Sequence, residues 1–292
     1  MIAALGNFDG VHLGHQYLLK QTAEFAQAHG AAAGAVLFEP HPRRYFRPDD
    51  PPFLLTLPAK RDALLRAAGA EEIFALTFDK ALASMSPEEF VNGVLKEKLG
   101  LAGVVTGADF RFGKGRAGDG GALKALGEAA GLKVKLAGVL SETPDTEKFG
   151  SSAVRAALQD GAVEKAASML GRDWSVTGVV AEGRKVGRTI GFPTANLTLG
   201  ELIEPRKGVY VTRTLVDGKT YGSVSNFGRR PTVGSDAPLL ETYLFDFDGD
   251  LYGREIEVAF VAFLREEQKF DGLDALKAQI ANDCVKARAI LG

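Results

Sequence analysis

Two histidines three residues apart, His12 and His15, are the residues whose type and spacing most directly predict chemistry in this chain. They lie in the segment GNFDGVHLGH, residues 6–15, which follows a short apolar run. We interpret residues 1–5 as a buried strand, residues 7–11 as a turn, and the residues from 13 onward as a helix with an apolar face. Side chains three apart share a helix face, and the free N–H groups at a helix start attract anions.

This arrangement predicts a site for a triphosphate. Attack on the α-phosphorus of ATP expels pyrophosphate, and such nucleotidylyl transfer depends on positioned hydrogen-bond donors more than on a protein nucleophile. Gly14, between the histidines, would let a phosphate approach the backbone closely. An isolated histidine here would be a helix cap or a surface residue, but the pair, preceded by an Asp9-Gly10 turn, favours the phosphate site.

The composition is that of a soluble globular protein with two domains. The chain has 292 residues, of which 46% are hydrophobic and 25% charged. Its 35 basic and 37 acidic residues give a net charge of −2, so we expect neither nucleic acid nor a membrane as partner. The single Cys284 excludes an internal disulfide and a cysteine-rich zinc site. Because we find no membrane-length apolar run and no export signal, we expect a cytoplasmic location.

The first half of the chain predicts an α/β fold with a mostly parallel sheet. Apolar strand candidates at residues 35–38, 73–78, 104–106 and 134–139 alternate with helical patterns. Ser86 and Glu89 have the spacing of a capping box at the start of one of these helices. Open sheets of this kind bind ligands beyond the carboxyl ends of their strands, where the histidine turn falls.

The second half predicts an antiparallel β-barrel followed by a terminal helix. Short alternating strands between residues 174 and 264 are joined by turn sequences such as Asp217-Gly218. Residues 273–291 carry an apolar stripe at helical spacing, which we expect to pack on the barrel. The change of pattern predicts one domain over residues 1–172 and another over residues 173–292.

Three further segments of the first half could contact a nucleotide or its partner substrate. His41 lies between two prolines after the second strand and could touch substrate, or it could be a solvated residue of a stiffened loop. The loop 107–116, which includes Asp109, mixes glycines, aromatic residues and cations, and it is either a nucleotide-binding loop or a mobile surface. Ser151, Ser152 and Arg155 begin a helix. A cation there opposes the helix dipole unless it meets a phosphate, whereas the alternative is ordinary capping.

Two segments of the second half carry candidate kinase chemistry. Thr194 and Asn196 point the same way in an extended segment and offer the hard oxygen ligands that suit Mg²⁺ on nucleotide phosphates. Glu241 lies on an alternating strand, residues 239–247, on the face that carries its aromatic residues. There desolvation would raise the pKa of the carboxyl and suit it to act as a general base. The alternatives are a simple turn for the first segment and a solvated strand face, with its aromatic residues covered by the last helix, for the second.

The chain resembles the bacterial bifunctional riboflavin kinase/FAD synthetase family along nearly its whole length. GNFDGVHLGHQ, FEPHP, GADFRFG and SSAVR resemble, in order, its adenylyltransferase motifs. VGRTIGFPTANL, KGVYV, SNFGRRPT, ETYLFDFDGDLYG and FLREEQKFDGL resemble its kinase motifs. The resemblance implies a Rossmann-like nucleotidylyltransferase half that adenylylates FMN to FAD, and a barrel half that phosphorylates riboflavin to FMN, both with ATP.

The resemblance also implies roles for individual residues. Those implied to be catalytic are Glu241, His12 and His15. Those implied to bind ATP or its phosphates are Gly6, Phe8, Gly14, Ser151, Ser152, Arg155, Gly187, Thr194 and Asn196. His41 and Asp109 are implied to bind flavin, and Thr194 and Asn196 to hold Mg²⁺. We expect a monomer or a weak homo-oligomer with small-molecule substrates.

Two departures from the family pattern and three alternative functions accompany this reading. The chain starts close to the histidine motif, without the customary leader, which we expect to weaken the edge of the sheet, and it has Gly150 where a serine is common. One alternative is a single working activity beside a flavin-holding module. A second is a non-enzymatic flavin carrier, which would need neither Glu241 nor the histidines. A third, adenylylation of another phosphorylated precursor, is disfavoured by the barrel.

Overall fold

The chain is divided into two compact units. The computed structural model describes residues 1–138, 150–181, 191–229 and 238–292. The first unit contains Met1–Pro51 and Thr56–Ser151, and the second contains Pro52–Leu55 and Ser152–Gly292. Among the described residues, no helix combines the length and the apolar character needed to cross a bilayer.

The first unit is built on a sheet of five parallel strands. These are β1 (Ile2–Leu5), β2 (Ala33–Glu39), β3 (Glu72–Thr77), β4 (Gly103–Gly107) and β5 (Lys133–Ala137). Their order is β3-β2-β1-β4-β5, which confirms the predicted parallel sheet. β1 is the central strand, hydrogen-bonded to β2 and to β4. β1, the strand next to the N-terminus, is therefore not an edge strand, and the expected weakening of an edge of the sheet stays a prediction.

Helices cover both faces of this sheet. They are α1 (Leu13–Gln27), α2 (Pro42–Phe46), α3 (Pro58–Ala67), α4 (Lys80–Ser84), α5 (Pro87–Glu89), a π-helical segment (Phe90–Lys98), a short 3₁₀ turn (Lys114–Arg116) and α6 (Gly120–Ala129). Successive residues of β1 point to opposite faces: Ile2 packs in a core with α1, whereas Ala3 packs in a second core with the π-helical segment. Burial on both faces explains why β1 is apolar throughout. The predicted capping box of Ser86 and Glu89 is confirmed.

The second unit contains the helices α7 (Ser151–Gln159) and α8 (Val163–Leu170), the barrel, and α9 (Leu273–Leu291). Ser151, the first residue of α7, belongs to the first unit. The barrel strands are β6 (Trp174–Val179), β7 (Ala195–Thr198), β8 (Gly208–Val216), β9 (Lys219–Arg229), β10 (Pro238–Leu244) and β11 (Glu255–Arg265). Their order is β6-β11-β8-β9-β10-β7, and all neighbours are antiparallel. An antiparallel bridge between Ala181 and Asn196 brings the two edges together, which confirms a nearly closed barrel.

Local sequence explains the turns and the helix that complete the barrel. Asp217 and Gly218 both adopt positive φ, 46° and 80°, as a two-residue hairpin turn requires. The predicted stripe of α9 packs on the barrel: Cys284 and Ala287 share a core with Val209 and Val224. β10 ends at Leu244 rather than at residue 247, because the chain turns at Asp246, whose φ is 55°.

Five buried hydroxyl groups form a chain across strands β8, β9 and β10. The chain runs Thr214, Ser223, Thr212, Ser225, Thr242, with oxygen–oxygen distances of 2.8, 2.8, 2.8 and 2.9 Å. All five residues are almost completely buried. Since buried hydroxyl groups are costly without partners, this chain fixes the register of the strands that carry Asn226 and Glu241.

Candidate active sites

The histidine turn at the carboxyl end of β1 has a strained backbone. The N–H of Val11 donates to the carbonyl of Phe8 at 3.1 Å. Phe8 and Val11 have φ of 55° and 42°, which is uncommon for a bulky residue and costly for a β-branched one. Such strain persists where surrounding contacts impose it, and it clusters at functional sites.

Contacts from distant parts of the first unit hold this turn. Asp9 is buried, and its Oδ1 accepts from the N–H of Thr56 at 3.2 Å. The Thr56 hydroxyl in turn accepts from the N–H of Gly10 at 3.1 Å. The Oγ of Ser151 donates to the carbonyl of Asp9 at 2.8 Å. Ser151 therefore lies at the turn, and its phosphate-binding role stays a prediction. Nothing in the local sequence pointed to Thr56.

The two imidazole rings stack face to face. Their centroids lie 3.7 Å apart with 21° between the ring planes, and the Phe8 ring lies 5.2 Å from that of His15. His12 is the N-cap of α1, and its Nδ1 accepts from the N–H of His15 at 3.4 Å. Because Nδ1 accepts there, a neutral His12 carries its proton on Nε2.

Burial keeps one member of the histidine pair uncharged. Desolvation, and after it the charge of His12, holds the pKa of His15 well below its ordinary value of 6.5. His15 is thus neutral at neutral pH, and among the described residues its buried Nδ1 has no hydrogen-bond partner. Two imidazoles at a helix N-terminus, where free backbone N–H groups attract anions, form a candidate site for phosphate oxygens.

The other predicted residues of the first unit lie around the same edge of the sheet. Gly6 follows β1, and Gly14 lies in the first turn of α1. His41 caps α2 just after β2, where its Nδ1 accepts from the N–H of Arg43 at 3.1 Å. Asp109 is exposed and follows β4. Since β2 and β4 flank β1, these loops meet at the edge where ligands bind to parallel sheets.

One charged cluster at this edge had no signal in the sequence. Arg61 of α3 is almost completely buried and forms ion pairs with Glu39, the last residue of β2, and with Asp62 at 2.8 Å. The cluster anchors the end of β2, directly before His41. A charged helix such as α3 resembles a solvated surface in sequence, so the burial of Arg61 could not be inferred.

Ser152 and Arg155 belong to the second unit. Ser152 is exposed. Arg155 donates from Nε to the carbonyl of Phe53 at 2.7 Å, and its guanidinium carbon lies 5.5 Å from the Phe53 ring centroid. These contacts fix the first turns of α7. The phosphate-binding roles of both residues stay predictions, as does that of Gly187, which lies outside the described residues.

A cavity of about 300 Å³ lies on the outer face of the barrel, beneath α9 and the loop that precedes it. Apolar side chains form much of its wall: Phe192, Val209, Val224, Tyr243, Phe270, Leu276 and Ile280. Polar side chains complete the lining: Thr194, Ser225, Asn226, Glu241, Arg265, Glu267, Gln268 and Asp283. An apolar pocket with a few polar groups is typical of a site for a small organic ligand.

Thr194 and Glu241 are thus brought to one cavity, and Asn196 is beside them. Asn196 lies directly across from Glu241 in the β7–β10 pairing, so both side chains are on the same sheet face. Asn196 is buried, and within the described parts of the chain its Oδ1 has no hydrogen-bond partner. An unused carboxamide oxygen near a hydroxyl fits a hard divalent cation such as Mg²⁺.

A buried ion pair, which the sequence did not reveal, closes one wall of the cavity. Arg265 at the end of β11 binds Asp283 of α9 through Nε and Nη2, the shortest distance being 2.7 Å. Gln279 donates to the same carboxylate at 2.8 Å. The Asp283 side chain is 4% exposed. The pair therefore fixes α9 against β11 at the wall of the cavity.

A unit with a histidine pair on a parallel sheet is followed along the chain by a unit with a carboxylate-bearing cavity on a barrel, and each unit matches a family of transferases. Residues 1–153 match the family model described as FAD synthetase, and residues 170–291 match the one described as riboflavin kinase. The chain belongs to the family of bifunctional riboflavin kinase/FMN adenylyltransferases.

Individual relatives are similar over nearly their full length. A bifunctional riboflavin kinase/FMN adenylyltransferase of Pseudomonas fluorescens is 40% identical over 290 residues, covering 99% of this chain and 92% of the relative. One from Escherichia coli K12 is 38% identical over 292 residues, covering 100% and 93%. A crystal structure from Streptococcus pneumoniae, described as a macrolide-efflux protein, is 29% identical with a TM-score of 0.89 and covers 98% of this chain and 93% of that one. The last likeness supports the fold.

Proposed function

We propose that this chain makes both flavin cofactors: residues 173–292 phosphorylate riboflavin to FMN, and residues 1–172 adenylylate FMN to FAD. ATP is the second substrate of each reaction. The observation that carries the kinase assignment is the position of Glu241, which lines an apolar cavity with Thr194 and lies directly across from Asn196. The stacked histidine pair carries the adenylyltransferase assignment.

In the kinase reaction, Glu241 accepts the proton of the primary hydroxyl of riboflavin. The hydroxyl oxygen then attacks the γ-phosphorus of ATP, and ADP leaves. Thr194 and Asn196 would hold Mg²⁺, which offsets the negative charge of the phosphates when it is bound. The apolar walls of the cavity would take the flavin ring and exclude water from the transferred group.

In the adenylyltransferase reaction, a phosphate oxygen of FMN attacks the α-phosphorus of ATP and pyrophosphate leaves. His12 and His15 donate hydrogen bonds to phosphate oxygens as charge develops on them. Gly6, Phe8 and Gly14 would shape the nucleotide site around these rings. Additional phosphate contacts are proposed for Ser151, Ser152 and Arg155, and flavin contacts for His41 and Asp109.

Four further properties accompany the proposal. The protein works in the cytoplasm as a monomer or weak homo-oligomer, and it uses no nucleic acid. The net charge of −2 and the local nature of both anion sites support a small-molecule substrate rather than a polyanion. Gly187 is proposed to contact the kinase nucleotide.

Product analysis of two variants tests the proposal. With riboflavin, ATP and Mg²⁺, we expect the unmodified chain to form FMN and then FAD. His15→Ala should accumulate FMN, because only the second reaction loses a residue that donates a hydrogen bond to the phosphates. Glu241→Gln should form FMN about 10²–10⁴ times more slowly, the typical contribution of a general base, and should still convert supplied FMN to FAD.

Separation of the products by chromatography distinguishes the outcomes. FAD formation at the full rate by His15→Ala would contradict the role of the histidine pair. FMN formation at the full rate by Glu241→Gln would contradict the role of the carboxylate. A chain that forms FMN but never FAD would have one working activity, and the adenylyltransferase proposal would then be wrong.

A further inference from the structure

Asn226 extends the row of polar side chains that contains Glu241. In the register of the barrel, Asn196 on β7 lies across from Glu241 on β10, and Glu241 lies across from Asn226 on β9. Directly opposite residues in antiparallel strands share a sheet face, with Cβ atoms about 5 Å apart. The carboxylate is therefore flanked by two carboxamides, one on each side.

Asn226 faces the ligand cavity with unused hydrogen-bonding capacity. It is half-buried, and it lines the same cavity as Thr194 and Glu241. Within the described residues, its carboxamide makes one hydrogen bond, from Nδ2 to Oε1 of Glu267 at 3.3 Å. A carboxamide has two N–H donors and a carbonyl oxygen that accepts. One donor and the acceptor thus remain for a hydroxyl group placed next to Glu241.

Glu267 reaches Asn226 because the strand leaves room for it. Glu267 belongs to the loop between β11 and α9, and its carboxylate lies directly over Gly228 of β9. A Cβ at Gly228 would lie 2.1 Å from Oε1 and 2.7 Å from Cδ of Glu267. A carboxylate only accepts hydrogen bonds, so it selects the orientation of Asn226 in which Nδ2 faces the loop and Oδ1 is turned away from it.

We propose that Asn226 is a further residue of the phosphorylation site, which binds the acceptor hydroxyl beside Glu241, and that Glu267 is a positioning residue that acts through Asn226. This inference rests on the proposed kinase function of the second unit. Asn226 donates its second Nδ2 hydrogen to the oxygen of the primary hydroxyl of the flavin side chain, so that the proton of this hydroxyl can point to Glu241. Glu267 holds Nδ2 in the orientation that this contact requires. Small errors in such placement are costly for the rate.

Single and double variants test this order of action. Asn226→Ala should lower kcat for phosphorylation of riboflavin about 100-fold and leave KM for riboflavin within about threefold, because the contact orients the hydroxyl rather than binding the ring. Glu267→Ala should lower kcat about tenfold. The double variant should be no slower than Asn226→Ala alone, since Glu267 has no effect without its partner.

Conservative and control variants separate positioning from a structural effect. Glu267→Gln retains an oxygen that accepts from Nδ2 and should remain within about threefold of the unmodified kcat. Glu266→Ala removes a neighbouring charge that pairs with Arg206 outside the cavity and should not change kcat. Thermal unfolding of each variant checks that the barrel is intact. If Asn226→Ala does not fold, Asn226→Asp keeps the side-chain shape, cannot donate to Glu267, and should be at least as slow.

Three results would overturn the inference: full kcat in folded Asn226→Ala or Asn226→Asp, full kcat in Glu267→Ala, or a double variant whose loss is the product of the two single losses. Glu241→Gln is measured alongside them. If that variant is inactive while Asn226→Ala is fully active, this inference fails and the proposed function stands. If Glu241→Gln is fully active, the proposed role of the carboxylate fails first.

Discussion

The most informative stability prediction compares two arginine–aspartate pairs that fasten α9 to the barrel. Arg265 binds Asp283 through two nitrogens, and their side chains are 20% and 4% exposed. Arg288 binds Asp246 through two nitrogens at 2.8 and 2.9 Å, but there the exposures are 50% and 76%. The two pairs have similar hydrogen-bond geometry and differ in burial. We expect Asp283→Asn to destabilise the second unit strongly and Asp246→Asn to have no measurable effect.

The magnitude follows from the charge that each variant leaves behind. Removing one partner of a buried ion pair costs about 3–5 kcal/mol, because the remaining charge is uncompensated. One fifth of the Arg265 side chain still reaches water, so we take the lower end, about 3 kcal/mol. This corresponds to about a 150-fold change in the folding equilibrium and to a decrease of about 10 °C in Tm for a unit of this size.

Thermal and denaturant unfolding of the second unit measure both variants. Because the pair lines the cavity, KM for riboflavin should rise in Asp283→Asn, while adenylylation of supplied FMN continues at its usual rate. The double variant Arg265→Met/Asp283→Leu should recover most of the lost stability, since it removes both charges. An equal decrease of Tm in Asp283→Asn and Asp246→Asn would refute the reasoning that burial, rather than geometry, decides the contribution of the pair.

Two further predictions concern the proposed metal ligand and the histidine pair. Asn196→Ala should raise the Mg²⁺ concentration that half-saturates phosphorylation about tenfold or more, because a contact to the metal is lost. A titration of the kinase rate against Mg²⁺ measures this midpoint. An unchanged midpoint would exclude Asn196 as a ligand. The folded state holds the pKa of His15 well below 6.5, so as the pH falls through 6.5 the unfolded chain takes up a proton first. The stability of the first unit should then be full above pH 6.5 and decrease below it. His15→Gln should lose part of this pH dependence, which thermal unfolding between pH 7 and 5 measures. Equal slopes of Tm against pH in the variant and the unmodified chain would contradict the prediction.

The histidine site illustrates what local sequence can predict. Residues 6–15 determine the turn, the start of α1 and the shared face of His12 and His15, and all three are found in the structure. The hydrogen bonds that hold the turn come from Thr56 and Ser151, which are 47 and 142 residues away from Asp9. Such partners are set by the packing of the whole sheet, so neither contact could be predicted from residues 6–15. Ser151 was a candidate only as a phosphate ligand, through the motif SSAVR.

The surroundings of Glu241 in the barrel cavity could be predicted only in part from the sequence. The choice between an active face and a solvated face covered by the last helix was left open for Glu241, and the structure combines features of both: α9 covers this face, and the cavity lies beneath it. Alternation along one strand reports which residues share a face but not what packs on that face. The wall formed by Asp283 depends on how α9 docks, which no local pattern specifies.

The hydroxyl chain inside the barrel carries one more proton than its own bonds can use. Five oxygens are joined by four links, so one hydrogen always lacks a place within the chain and can belong to any member. The interior can therefore exchange one donor pattern for another by rotation about C–O bonds, without displacing an oxygen. The oxygen positions of this layer of side chains are therefore fixed, while its hydroxyl hydrogens can reorient.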